Sequence, residues 1–256
     1  MSLLSSDQKI LIDKALQLHK EGKLQEAIKL YSELLDKDKN NSQLLFLLGT
    51  ALIQIKDFKK GIDYLKKCLS LKSNNASAYS NLGNAYKELL QYEEALKNYD
   101  EAIKINPNFA DAFSNRGIIL QEMNRFEEAL KSYNKALEIK PDHFFAHNNK
   151  GITLKDLNRY EEALQSYDKA IKINPSFIEP YNNKGNIFKD IKQYDKALEN
   201  YQKIMNLNPE YNYNLGKILH TSMFMNEWKD FDILNKKIDD GIKKRLCAIE
   251  PFSFLG

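Results

Sequence analysis

The stretch FADAFSNRGIILQEMNRFEEALKSYNKALEIKPDH, residues 109–143, decides the fold. Its markers are Phe113, Gly117, Ala129, Tyr133, Ala136 and Pro141. Stepping outward from Gly117, glycines stand at Gly49, Gly83, Gly151 and Gly185, each 34 residues from the next. Ala95, Ala129, Ala163 and Ala197 keep the same interval, as do Tyr99, Tyr133, Tyr167 and Tyr201, and Pro107, Pro141, Pro175 and Pro209. A fixed period of this size marks an array of helical repeats, in which each unit buries its apolar face against its neighbours.

Placing the glycine eighth in each unit gives six repeats: 8–41, 42–75, 76–109, 110–143, 144–177 and 178–211. The first two diverge most. Ala15 and Lys39 fill the glycine and proline places of the first, and Gly61 and Ser73 the alanine and proline places of the second. Terminal units of an array depart from the common pattern because one of their faces meets water. Within a unit the pattern reads helix, short turn, helix. In the third unit, Tyr79, Leu82, Gly83 and Tyr86 fall on one face of a helix over 76–89. A second helix over about 93–105 opens on Glu93 and Glu94, which suit the positive end of its dipole, and stops at Asn106-Pro107. Gly83 and Ala95 allow the two helices of one unit to approach closely, and Ala102 lets the second pack on the next unit. Tyr99 and Phe126 fill the remaining space.

Lys and Arg number 38 against 35 Asp and Glu, a net charge of +3, which argues against a nucleic-acid or anionic-membrane partner. Runs such as Lys243-Lys244-Arg245 read as a solvated helix face. Cys68 stands in the slot of Ala102, Ala136 and Ala170 and reads as a small core residue. With Cys247 it forms no metal or disulfide pattern, which fits a reducing compartment. The start of the chain has no apolar run long enough for a signal peptide or membrane span, so a cytoplasmic location is expected.

Tyr79, Leu82, Gly83, Tyr86, Ala95, Tyr99, Ala102 and Pro107 match the tetratricopeptide repeat place by place, and residues 8–211 resemble that family throughout. The resemblance implies an all-α, right-handed superhelical solenoid of six repeats, with a concave groove lined by the first helices.

On the first helix, the stripe opposite the core face holds Ser77, Asn81, Asn84 and Glu88. Asn81 recurs as Asn115, Asn149 and Asn183, with Asn148, Asn182 and Asn186 beside them. Glu88, Glu122, Asp156 and Asp190 form a parallel acidic row. Asparagine is a mediocre helix former, and mid-helix it caps nothing, so its repetition needs another reason. A side-chain amide both donates and accepts, and a row of amides can hold an extended polypeptide with little demand on its side chains. The row resembles the asparagine ladder of the O-linked N-acetylglucosamine transferase family. By contrast, other tetratricopeptide repeat proteins that clamp acidic C-terminal tails place lysines and an arginine on this face, where Ser80, Ser114, Asn148 and Asn182 stand here, which argues against such a clamp.

After Tyr213 the period fails, and the tail reads as helices capping the last repeat, with Trp228 and Phe231 as cap residues. Gly216, His220, Met223, Trp228, Asp230 and Phe231, then Pro251-Phe252 and Leu255, resemble the junction preceding the catalytic region of bacterial SPINDLY-like transferases. That resemblance implies a substrate-recruiting arm of a protein O-glycosyltransferase whose nucleotide-sugar domains would lie beyond Gly256, so no catalytic residue is carried over.

Residues 1–256 hold no phosphate-binding glycine loop, HExxH, GxSxG or dinucleotide fingerprint. His143 and His147 stand four apart, but His147 occupies the slot of Tyr79 and Phe113 and reads as packing. The Glu-Glu pairs at 93–94, 127–128 and 161–162 start second helices. No catalytic residue, metal or cofactor is expected. The reading is an interaction scaffold for a protein or peptide in extended conformation, with the transferase arm as the alternative and self-assembly through the convex face as a third.

Overall fold

A computed structural model describes residues 6–208, 213–225 and 236. Among them lie thirteen α-helices and no strand. The all-α class expected from the period therefore holds. The chain divides into two compact units, Met1–Ile139 and Lys140–Gly256, each described in turn.

In the first unit, α1 (Ser6–Lys20) packs on α2 (Leu24–Lys37), α3 (Ser42–Gln54) on α4 (Phe58–Leu71), α5 (Ala76–Glu88) on α6 (Tyr92–Ile105), and α7 (Ala110–Glu122) on α8 (Phe126–Ile139). Each pair leans on the next through its second helix, and α5 also touches α3 and α7. In the second unit, α9 (Phe144–Asp156) packs on α10 (Tyr160–Ile173) and α11 (Ile178–Asp190) on α12 (Tyr194–Leu207). The last described helix, α13 (Tyr213–Phe224), lies against α12. Trp228, Phe231 and the Pro251-Phe252 segment fall outside the described residues, as does Cys247.

The fifteenth residue of every repeat closes the first helix in the left-handed region, at Gly22, Lys56, Leu90, Asn124, Asn158 and Lys192, with φ between 57° and 76°. In the third repeat the Gln91 N–H reaches back to the Tyr86 carbonyl and the Leu90 N–H to that of Lys87, both at 2.9 Å. These bonds satisfy carbonyls left without partners at the helix end. Only one of the six residues is glycine, which is why composition did not reveal the motif. The second helices open with Glu93-Glu94, Glu127-Glu128 and Glu161-Glu162 in their first turns. Glu128 and Glu162 are each gripped by two guanidinium nitrogens, of Arg125 and Arg159, which holds their carboxyls below the usual range.

The core repeats as the chain does. Tyr31, Tyr99, Tyr133, Tyr167 and Tyr201 are fully buried, as are Ala95, Ala129, Ala163 and Ala197. The glycine slot exists for the tyrosine: a methyl group on Gly83 would lie 2.7 Å from the Tyr99 ring. Close approach of the helices is therefore set by the ring laid across the glycine, with Ala95 in support. Where the second repeat has Leu65 in place of tyrosine, Gly49 meets that leucine and Gly61 meets Ile53. Cys68 is buried, and its thiol donates to the Ser42 carbonyl at 3.2 Å. Burial pushes that thiol's pKa up, which leaves it protonated and inert.

Candidate functional site

The asparagine row sits on the first helices, where Asn81, Asn115, Asn149 and Asn183 each stand two residues before the glycine that meets the tyrosine ring. Asn81, Asn84, Asn115, Asn149, Asn182, Asn183 and Asn186 are half-buried, and Glu88, Glu122, Asp156 and Asp190 are exposed one to two turns further along. Asn148 stands apart, buried with 5% of its surface exposed.

The amides are linked from repeat to repeat. In the first unit, Asn81 Nδ2 donates to Thr50 Oγ1 at 2.9 Å, and Asn115 Nδ2 to Asn84 Oδ1 at 3.1 Å. In the second unit, Asn183 Nδ2 donates to Asn148 Oδ1 at 3.2 Å, and Asn148 Nδ2 to Asn149 Oδ1 at 3.3 Å. Lys217, 34 residues beyond Asn183, continues the row and donates to Asn182 Oδ1 at 2.9 Å. These bonds are a second reason for asparagine at mid-helix, one that sequence reasoning missed. An amide has two N–H donors and a carbonyl that accepts twice, so one bond to the preceding repeat commits part of it.

Asn84 and Asn186 also accept from the buried tyrosines, Tyr99 at 2.7 Å and Tyr201 at 2.9 Å. In the fourth repeat Ile118 takes the corresponding place, and the Tyr133 hydroxyl turns to Gln121 Oε1 at 3.3 Å. In the fifth, Ile152 takes it, and the buried Tyr167 hydroxyl has no hydrogen-bond partner. Burial, aided by the charge of Glu88 or Asp156, pushes the pKa of Tyr99 and Tyr167 far up. Both phenols stay neutral beneath the acidic row.

Arg116, Lys150 and Lys184 occupy the place of core Leu82 in the last three repeats. Arg116 Nε donates to Asp100 at 2.7 Å, and Lys184 pairs with Asp168. Burial, then repulsion from Lys169, lowers the pKa of Lys150. His147 packs as its slot foretold: it is buried, its Nε2 lies 3.0 Å from the Pro141 carbonyl, and burial lowers its pKa. Among the described residues no group of three His, Cys, Asp or Glu side chains could hold a metal, and no helix is long and apolar enough to cross a membrane.

A further cluster lies in the second unit, at the loop edge of the first helices. Phe144, Phe145 and Phe177 meet with ring centroids 4.2 to 5.2 Å apart. They line a cavity of about 480 Å³ together with Ile178, Glu179, Asn182 and others. The signal was present in the sequence: Phe144-Phe145 stands where the two preceding repeats have Ala76-Ser77 and Ala110-Asp111.

The tetratricopeptide repeat profile matches residues 76–109, 110–143, 144–177 and 178–211, and a second profile of the same repeat matches 18–82. The chain belongs to the tetratricopeptide repeat family. A crystal structure of MamA is 27% identical, covering 63% of this chain and 94% of that one with a TM-score of 0.58. YrrB, a tetratricopeptide-repeat protein with an unusual peptide-binding site, is 22% identical over 70% of this chain and 92% of its own, with a TM-score of 0.57. Pseudomonas aeruginosa PilF is 20% identical over 79% and 92%, with a TM-score of 0.69. The last two show the fold alone. No curated protein matches the sequence.

Proposed function

We propose that this protein is a non-catalytic interaction module that binds a polypeptide in extended conformation along its first-helix faces. The observation that carries the reading is the register of Asn81, Asn115, Asn149 and Asn183, half-exposed at one place in four successive repeats. A side-chain amide there can pair with a peptide group whatever side chain that peptide bears. The exposed row of Glu88, Glu122, Asp156 and Asp190 adds a preference for basic over acidic segments. The peptide-binding site of YrrB lends the reading support from a relative of the same fold. Cysteines without pairing spacing fit a cytoplasmic setting.

The test is a display selection of unstructured peptides on the full chain, followed by affinity measurement on Asn115→Ala and Asn149→Ala. Loss of binding by about tenfold in either variant, with helicity retained, supports the amide row, since a hydrogen bond of about 1.4 kcal/mol corresponds to that factor. Unchanged affinity in both variants sinks it.

A second reading rests on the tail motif from Gly216 to Leu255, which supports a substrate-recruiting arm of a SPINDLY-like O-glycosyltransferase. The intact mass of the native protein separates the two: a mass near 29.7 kDa favours the free-standing module, and more than twice that favours the arm. Sedimentation of the purified chain tests self-assembly.

A further inference from the structure

We infer that the aromatic pocket of the second unit receives a cationic side chain, arginine above lysine, from a partner polypeptide. Phe144 and Phe145 lie face toward face at a 34° tilt, and Phe177 stands edge-on to both at 74° and 77°. Two ring planes near a right angle form a corner, and Phe145 is 51% exposed. Such a corner accepts the flat, weakly hydrated guanidinium and the aliphatic stem behind it.

Charge complementarity fixes the sign of the occupant. Two helix starts, of α9 and α11, and two helix ends, at Asn174 after α10 and Asn208 after α12, meet at the pocket wall. Their partial charges of about half a unit oppose one another in pairs. What remains is the full negative charge of Glu179, the one charged side chain among the described residues lining the cavity, with the Lys217 ammonium held behind the wall by Asn182 Oδ1. An anionic partner meets that carboxylate, and a purely apolar one leaves it without a partner. The ring faces, negative at their centres, act in the same sense as Glu179. Elsewhere the chain already uses this contact, with ammonium groups over the Tyr86, Phe188 and Tyr201 rings at 5.7, 5.4 and 5.9 Å.

The pocket extends the amide-row reading, because Asn182 lines the cavity and belongs to the candidate groove. It would set one side-chain preference on a surface that otherwise reads backbone. The pocket lies wholly within the second unit, so its occupancy requires nothing of the first.

The experiment uses acetyl-Gly-Arg-Gly-amide, with leucine and glutamate in place of arginine as comparisons, titrated into the full chain and followed by backbone amide chemical shifts. The arginine peptide is too short to span the amide row, so its result stands apart from that of the groove variants. The expected outcome is saturable shifts at residues 144–145 and 177–179, with affinity at least about fivefold above the leucine and glutamate peptides and falling with added salt. Glu179→Gln and Phe145→Ala, both at exposed positions, should each weaken it by a similar factor. Equal binding of the leucine peptide, preference for the glutamate peptide, shifts elsewhere or no shift at all each overturn the proposal.

Discussion

The ring of Tyr133 lies across Gly117, so that a methyl group added to the glycine would fall 2.6 Å from the ring's Cε1 atom. The same contact recurs between Gly151 and Tyr167 and between Gly185 and Tyr201. One small and one large residue, sixteen apart, set how closely the two helices of a repeat approach.

Gly117→Ala should therefore destabilise the protein by about 1–3 kcal/mol, because a fully buried ring has no room to move aside. Pairing it with Tyr133→Leu should recover part of the loss and no more. The smaller, flexible leucine can shift where the ring cannot, yet Leu65 still lies 2.9 Å from a methyl placed on Gly49. A urea series on the two single variants and the double measures it, and additive losses would refute the coupling.

The buried tyrosines differ in one atom's surroundings. Tyr99→Phe removes the donor to Asn84 and should cost about 1 kcal/mol. Tyr167→Phe removes a hydroxyl with no partner and should be neutral or stabilising by up to about 1 kcal/mol. Equal losses from both, read as urea midpoints, would show that Tyr167 is bonded after all.

Leu90 is 71% exposed and holds a φ of 58°, a conformation that side chains other than glycine's oppose. Leu90→Gly should raise stability by about 0.5–1 kcal/mol, and Leu90→Val should lower it. Thermal melts of the pair check the sign.

Burial holds the His147 pKa below its ordinary value, and His220 is lowered the same way, by burial and then by Lys189. Above about pH 7.5 both rings are predominantly neutral whether the chain is folded or not. As pH falls through about 6.5 the unfolded chain takes up protons first, so the stability these neutral rings contribute is progressively lost. His147→Tyr, which restores the residue type of Tyr79, should shrink the drop in urea midpoint between pH 7.5 and 5.0. An undiminished drop would assign the acid sensitivity to other groups.

Asn115 bonds to Asn84 across α7 and α5, so Asn115→Ala should cost about 1 kcal/mol with no ligand present. Affinity losses in this variant count toward peptide binding only below its unfolding temperature, and calorimetry supplies that limit.

The linear order of residues determined the all-α class, the period, the helix pairs and the buried slots of glycine, alanine and tyrosine. Each of these is a local rule applied again every 34 residues, so one repeat predicts the others. The left-handed turn at Leu90, Lys56 and Lys192 was not legible, because hydrogen bonding at the helix end imposes it on residues that do not prefer it. Tertiary structure alone decided how the asparagines are spent. Whether Asn183 reaches Asn148 depends on Ile152 having no acceptor at the place where Asn84 accepts from Asn115. It also decided the pocket, since Phe144 and Phe177 belong to opposite ends of one repeat and meet only when α11 packs on α9. Contacts made once, between side chains that break the pattern, follow from packing and not from the period.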